Sequence, residues 1–173
     1  MLAASISPSL IPKQPFLWVI RPDLIDGQSD VLPADFLEKV KDRSFFVRWA
    51  PQMKVLSHPS VGGFLTHSGW NSTLESICAG VPMISRPFLA EQPTNGRFVS
   101  EVWKIGVAMN EVVKREDVED MVRRLMKGEE GQQMRKTVGE LRDASMIAVG
   151  EGGSSYNNME KFVQEIQRGL TNP

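Results

Sequence analysis

Short apolar runs alternate along this chain with longer segments of helical periodicity. Five runs, at residues 16–20, 45–48, 61–66, 82–85 and 105–109, are too short for ordinary helices. Such runs are typical of strands that are buried on both faces of a parallel sheet. Because helical segments separate them, the sequence predicts an α/β fold, a Rossmann-like parallel sheet with flanking helices.

The helical segments are most regular in the last third of the chain. Residues 115–127, 132–149 and 154–168 each carry one face with the spacing of an amphipathic helix. These faces are Val118, Met121, Val122, Leu125 and Met126, then Met134, Val138, Leu141 and Ser145, and finally Met159, Phe162, Val163 and Ile166. Shorter helices are predicted at 33–40, 73–79 and 95–103, and a short helix or a turn at 51–57.

The amino-terminal segment has a different character. Residues 1–15 are rich in serine and proline and show no period, so we predict an irregular lead there. Residues 16–173 are then expected to form one domain, in keeping with a length of 173 residues.

Composition narrows the class of protein. With 41% hydrophobic residues, 24% charged residues and a net charge of −1, the chain has the make-up of a globular domain without a basic surface for nucleic acid. Its single cysteine, Cys78, excludes an intrachain disulfide. No apolar run approaches the roughly 20 residues of a membrane span, and no signal peptide is evident. With two histidines, one cysteine and no close cluster of ligands, the sequence predicts no metal site.

The most informative stretch is the turn at residues 66–72, THSGWNS. An apolar run enters this turn, and a helical run leaves it. Free backbone N–H groups and the positive end of the helix dipole therefore meet at one point, which suits a phosphate. In an open parallel sheet, ligands bind beyond the carboxyl ends of the strands, where this turn is expected to lie.

The 44 residues from Trp49 to Gln92 resemble the signature box of plant family 1 UDP-sugar glycosyltransferases. The matching fixed points include Trp49, Pro51, Gln52, His58, His67, Gly69, Trp70, Asn71, Ser72, Glu75, Pro82, Pro87, Glu91 and Gln92. The flanks are also similar, so that the resemblance covers roughly residues 14–170. It implies the carboxyl-terminal, donor-binding half of a GT-B glycosyltransferase.

The resemblance gives the first residues of the box a role in binding the nucleoside. Trp49 stacks on uracil, the backbone of Ala50 reads the edge of the base, and Gln52 bonds the ribose. From the residue alone, a tryptophan at the end of a strand is more often part of the core.

Around the turn, the resemblance assigns the diphosphate to the start of the helix, with His67, Gly69, Trp70, Asn71 and Ser72 as donor-binding residues. The residues themselves leave alternatives open. His67 on its own is more often a structural, hydrogen-bonding histidine. Asn71 and Ser72 are common N-cap residues, and a cap does not conflict with an anion site.

The remaining predicted contacts are with sugars. Glu75 is expected to bond the ribose hydroxyls, although Ser72 and Glu75 also have the spacing of a capping box. The resemblance gives Glu91 and Gln92 to the donor sugar, and glutamine at the last position favours UDP-glucose. Ser68 stands where the family commonly has cysteine, and we expect no consequence.

The resemblance therefore implies a UDP-glucose-dependent, inverting glucosyltransferase with a small lipophilic acceptor and neither metal nor cofactor. It also implies a cytoplasmic protein. Its catalytic base belongs to an amino-terminal acceptor domain, so no catalytic residue is predicted in this chain. That domain and the first strand of the donor domain are expected to be absent, which makes the chain a fragment of lower stability that is inactive in isolation. The alternative is a non-catalytic UDP-sugar-binding fragment or an inert truncation.

Overall fold

A computed structural model describes residues 2–3, 14–20, 34–109 and 114–171. Its centre is a six-stranded sheet. The strands are β1 (Leu2–Ala3), β2 (Phe16–Val19), β3 (Ser44–Val47), β4 (Phe64–Thr66), β5 (Met83–Ser85) and β6 (Gly106–Ala108). The five strands predicted from apolar runs are all confirmed, each within three residues of its expected ends.

The strands follow the order β3-β2-β1-β4-β5-β6, and every neighbouring pair is parallel. This is the order of a doubly wound, dinucleotide-binding sheet, and the predicted Rossmann-like α/β fold is confirmed. The direction of progression reverses between β1 and β4. In such sheets the ligand crevice opens at that point, beyond the carboxyl ends of the strands.

The central strand corrects the sequence analysis. Residues 1–15 were expected to be irregular and the first strand of the domain to be absent, yet Leu2–Ala3 pairs with β2 on one side and with Leu65 of β4 on the other. Without it, facing backbone groups of two internal strands would lack partners, and unpaired buried backbone groups are costly. Two residues are too few for a periodic pattern to predict. The domain boundary at residue 16 stays a prediction.

Seven helices connect and cover these strands in the described part of the chain. They are α1 (Ala34–Val40), α2 (Gln52–Leu56), α3 (Trp70–Ala79), α4 (Gln92–Arg97), α5 (Arg115–Met126), α6 (Gly128–Val149) and α7 (Ser154–Thr171). A π-helical turn, Phe98–Val102, follows α4 directly. All the predicted helices are present, but α3, α4 and α6 each begin three or four residues earlier than expected.

Three groups of buried apolar side chains fill the interior. The first packs β4, β5 and β6 against α5 and includes Leu65, Ile84, Val107 and Leu125. The second lies under α3 and α6 and includes Phe64, Ile77, Met83, Ile105 and Val138. The third is smaller and joins β2 to α1 through Phe16, Trp18, Phe36 and Val40.

The predicted face of α5 is confirmed, since Val118, Met121, Val122 and Leu125 are buried and Met126 packs against them. At its end, Arg124 donates two hydrogen bonds to Glu130 of α6, which lower the pKa of that carboxyl below its usual value. The predicted face of α6 is buried at Met134 and Val138, whereas Leu141 is partly buried against the second group and Ser145 is half-buried.

Helix α7 presents a different result. Its predicted apolar face is present, but Met159, Phe162, Val163 and Ile166 are all exposed. Among the described elements, α7 contacts chiefly α6. No helix in the described ranges is both long and apolar enough to cross a bilayer.

We predict that Leu125→Ala lowers the free energy of unfolding by about 2–5 kcal/mol. Leu125 is 1% exposed, and its Cδ2 lies 2.5 Å from where a Cβ on Gly63 would be, so α5 and the segment before β4 are in close contact. Urea denaturation followed by circular dichroism measures the loss. The matched control is Ile147→Ala, at a side chain 75% exposed, which should change stability by less than about 0.5 kcal/mol. Equal losses in both variants would contradict this packing.

Candidate functional site

The candidate binding residues from the sequence lie in the connections that follow three parallel strands. Trp49 follows β3, His67 follows β4, and Glu91 follows β5. Since the strands are parallel, these connections leave the same edge of the sheet. The connection after β4 adjoins the point where the strand order reverses.

The chain turns from β4 into α3 in three residues, and the helix begins with its first turn open. Gly69 is the N-cap residue, no side chain caps the helix, and the first intrahelical bond runs from the Thr73 N–H to the Gly69 carbonyl. The N–H groups of Trp70, Asn71 and Ser72 therefore have no acceptor within the helix. With the positive end of the helix dipole, they form a site suited to an anion.

This geometry corrects two alternatives from the sequence. Asn71 and Ser72 are not N-caps, because the helix starts before them at Trp70. The capping box between Ser72 and Glu75 is also wrong. Instead, the Glu75 carboxylate accepts a hydrogen bond from Gln52 Nε2 at 2.6 Å, and the same nitrogen lies 3.1 Å from Ser72 Oγ.

Gln52 of α2 thus joins the connection after β3 to the helix after β4. The contact brings together three residues that the resemblance gives to the nucleoside and phosphates: Gln52, Ser72 and Glu75. One carboxylate oxygen of Glu75 accepts from Gln52, which leaves the other able to accept from a ligand hydroxyl.

The His67 side chain is exposed and lies against the start of α3. A Cβ built on Gly69 would fall 2.5 Å from His67 Nε2, so the imidazole occupies the space that a larger residue at the N-cap would need. Within the part of the chain that the structure describes, the ring has no hydrogen-bond partner. The structural reading of His67 is therefore not supported, and its ring borders the open helix turn.

The indole of Trp49 is 74% exposed, which excludes the alternative that it belongs to the core. Ala50 beside it is half-buried. Trp70 is partly exposed, and its ring lies 6.4 Å from that of Trp103, a contact that helps to hold the first residue of α3. Trp49 contributes an uncovered aromatic face at the same edge of the sheet.

The structure joins Glu91 and Gln92 to the turn only indirectly. Gln92 Oε1 accepts hydrogen bonds from the N–H groups of Phe88 and Leu89, at 2.9 and 3.3 Å, and Glu91 is exposed. The Gln92 amide NH₂ remains a possible donor. The connection to the turn comes one helical turn later, at Asn95, whose Nδ2 donates to the Ser68 carbonyl at 2.9 Å.

Sequence reasoning missed the residues beneath the turn. Ser68, Ser85 and Asn95 are buried, and Ser68 is hydrogen-bonded to the other two. The expectation that serine in place of cysteine at this position has no consequence stays a prediction. Serines in a turn and at a strand end, and an asparagine in a helix, read as ordinary surface polar residues. One signal was available: Asn95 precedes Gly96, where a Cβ would lie 2.6 Å from Ser85 Oγ, and a glycine within a helix often marks close packing.

The second histidine has a local role. His58 Nδ1 accepts a hydrogen bond from the Ser60 N–H in the turn after α2, as expected of a structural residue. In the described ranges, no three histidine, cysteine or acidic side chains come close enough together to hold a metal ion. The expectation of a metal-free donor site stays a prediction.

Comparison with known proteins identifies the family. A sequence model described as "UDP-glucoronosyl and UDP-glucosyl transferase" matches residues 10–141. The chain belongs to this family. The resemblance drawn from the 44 residues at Trp49–Gln92 is therefore confirmed, whereas the role of each site residue stays a prediction.

Plant glucosyltransferases are among its relatives. The chain is 56% identical over 155 residues to a 7-deoxyloganetin glucosyltransferase of Gardenia jasminoides, a match that covers 89% of this chain and 32% of that protein. It is 47% identical over 154 residues to linamarin synthase 1 of Manihot esculenta, with coverage of 89% and 32%. The chain thus spans about a third of the length of the curated relatives it matches.

Solved structures of GT-B UDP-glycosyltransferases share the fold. A UDP-glucosyltransferase from Polygonum tinctorium superposes with a TM-score of 0.82 at 38% identity, over 91% of this chain and 36% of that one. Os79 from O. sativa, in complex with UDP and deoxynivalenol-3-glucoside, gives a TM-score of 0.81 at 35% identity, over 87% and 35% of the two chains. The predicted relation to GT-B glycosyltransferases is confirmed, and the chain covers about a third of each of these two structures.

We predict that Gly69→Ala displaces the His67 ring, because the new methyl group would fall 2.5 Å from His67 Nε2. Since that ring is exposed, it can move at little cost in stability. The imidazole resonances in a ¹H–¹⁵N NMR spectrum should shift for His67 and remain constant for His58. The control is Gly139→Ala within α6, where a Cβ has no heavy atom within 4 Å. Unchanged His67 resonances in Gly69→Ala would contradict the contact.

Proposed function

We propose that this domain binds UDP-glucose as the donor of a glucosyltransferase, at the carboxyl edge of the sheet beside the reversal of strand order. The observation that carries the proposal is the uncapped first turn of α3, three residues beyond β4. It combines free N–H donors with the positive helix end, and an exposed tryptophan and a carboxylate lie at the same edge. A nucleoside diphosphate needs all three features.

The diphosphate would accept hydrogen bonds from the N–H groups of Asn71 and Ser72 and from the His67 ring. Gly69 is small enough to let that ring lie against the start of the helix. An anion held at a helix amino terminus is stabilised without a metal ion. UDP leaves as an anion, so the same donors would stabilise the charge that develops on it during transfer.

The uridine would lie beside α2. Its base would stack on the exposed face of Trp49, and the Ala50 backbone would read the base edge, as the resemblance implies. The ribose hydroxyls would donate to the Glu75 carboxylate, which Gln52 orients through its 2.6 Å hydrogen bond. Because a carboxylate accepts but does not donate, it suits a diol.

The glucose would face Glu91 and Gln92. Gln92 Oε1 is already engaged by two backbone N–H groups, which fixes the amide and leaves its NH₂ to donate to a sugar hydroxyl. The exposed Glu91 carboxylate supplies an acceptor beside it. The resemblance associates glutamine at this position with glucose.

For the whole enzyme we propose an inverting transfer to a small lipophilic acceptor. The acceptor oxygen attacks the anomeric carbon as the bond to UDP breaks, and the hydroxyl proton passes to a general base. Neither histidine of this chain suits that role, because His67 borders the phosphate turn and His58 is bonded within its own turn. The resemblance gives the base to an amino-terminal acceptor domain, and on that basis we propose that this domain is inactive alone.

A second candidate is a binding domain that never takes part in transfer. Neither described histidine is placed to act as a base. This observation favours a non-catalytic binding domain as strongly as it favours a donor domain that needs a separate acceptor domain. Glucosyl transfer after an acceptor-binding domain of a relative is added would exclude this candidate. A cytoplasmic location stays a prediction.

We predict that Trp49→Ala weakens UDP binding by about tenfold to a hundredfold, the range expected for one lost stacking contact. Isothermal titration calorimetry with UDP and with UDP-glucose measures the affinity. Phe45→Ala is the matched control, since Phe45 is also exposed, at 64%, and lies on the strand that leads to Trp49. A folded wild-type chain that binds neither ligand would overturn the proposed function.

The donor sugar has its own test. We expect UDP-glucose to compete for the site better than UDP-galactose, because the fixed Gln92 amide donates in one direction. Gln92→His should reduce that difference while UDP itself binds as before. Equal competition by the two donors in the wild-type chain would remove the argument for glucose.

A further inference from the structure

A buried polar cluster lies beneath the phosphate turn, and none of its members was assigned a role in binding. Ser68 and Ser85 are fully buried, and Asn95 is 6% exposed. Ser68 lies in the turn after β4, Ser85 at the end of β5 and Asn95 in α4, and hydrogen bonds from Ser68 join the three elements. Buried polar groups are costly unless they are hydrogen-bonded, so a cluster of this kind specifies one arrangement of the chain.

Ser68 is the residue that needs this support. Its φ is +62°, a left-handed conformation that residues other than glycine adopt rarely and at a cost. Three hydrogen bonds hold it. Its N–H donates to Thr66 Oγ1 at 3.1 Å, its hydroxyl bonds Ser85 Oγ, and its carbonyl accepts from Asn95 Nδ2 at 2.9 Å.

The conformation of Ser68 decides where its neighbours lie. His67 precedes it and Gly69, the N-cap of α3, follows it. A change in the backbone at Ser68 would therefore move the His67 ring and the first N–H groups of α3 relative to each other. These are the donors that would bind the diphosphate.

Asn95 connects this turn to the sugar side of the site. Its own N–H donates to the Glu91 carbonyl, so one helical turn links Asn95 to the pair Glu91 and Gln92. Close approach of α4 to β5 is possible because residue 96 is glycine, where a Cβ would lie 2.6 Å from Ser85 Oγ. Helix α4 thus holds the phosphate turn at one end and presents the predicted sugar-binding residues at the other.

We propose that Asn95 is a positioning residue for the diphosphate, which acts through the Ser68 carbonyl and is supported by the Ser68–Ser85 hydroxyl pair. The inference rests on the proposed donor site and adds to it: helix α4 couples the phosphate and sugar subsites. Asn95 touches no ligand in this scheme. Its effect is confined to the geometry of the turn.

The test compares UDP with uridine, which lacks the phosphates. In Asn95→Ala the Ser68 carbonyl loses its donor, so UDP should bind about tenfold more weakly while the affinity for uridine stays within about twofold. Calorimetry measures the affinity for UDP, and NMR chemical-shift titration measures the affinity for uridine. A purely structural role for Asn95 would lower both affinities in parallel.

Ser76→Ala is the matched control. Ser76 is as buried as Ser68, and its hydroxyl donates to the Val81 carbonyl at 2.7 Å, at the opposite end of α3. This variant should lose stability comparably and keep the wild-type ratio of UDP to uridine affinity.

A second variant keeps the test decisive if Asn95→Ala folds poorly. Ser68→Gly tolerates the positive φ but loses the bond to Ser85, and it should weaken UDP by about threefold without changing the affinity for uridine. An unchanged ratio in the folded variants overturns the inference and leaves the donor site standing. A wild-type chain that binds neither UDP nor uridine overturns both.

Discussion

The chain has to pass from the end of β4 to the start of α3 in three residues, and the arrangement of the carboxyl edge depends on that turn. The passage contains one left-handed residue, Ser68, which buried hydrogen bonds hold from both sides. The helix then begins without a side-chain cap. The short turn therefore costs conformational free energy at Ser68, and it leaves the first backbone N–H groups of α3 available to an anion.

Most of the fold could be predicted because its signals are local. Apolar runs of a few residues mark the strands, and the face of α5 follows from residues three or four positions apart. Tertiary contacts determine the features that were not predicted, such as the start of α3 and the partner of Glu75. Helix α3 starts at Trp70, whose ring packs near Trp103, and the Glu75 carboxylate is bonded by Gln52 from another helix. A capping box is a local pattern and carries no information about such competitors.

The candidate site likewise contains residues that the sequence could identify and residues that it could not. Its exposed residues, such as Trp49 and Glu91, are recognisable from the sequence only through the resemblance, because an exposed side chain leaves no periodic signal. The residues that support them, Ser68 and Asn95, were missed because burial of a short polar side chain depends on the packing of α4 on β5. Spacing alone cannot distinguish a buried asparagine from one on a surface.

The sheet has its shortest strand at its centre. Among the described strands, β2 and β3 pair with β4, β5 and β6 through the two residues Leu2–Ala3, and the small core under α1 is separate from the two larger ones. Regions with few buried contacts open at a lower free energy than the global unfolding of a protein. Partial opening would therefore displace β3 and the residues Trp49 and Ala50 that follow it, while Gln52 and Leu56 keep α2 against α3 and the turn before α3 persists. In such a state the domain would retain an anion site that no longer distinguishes one nucleotide base from another.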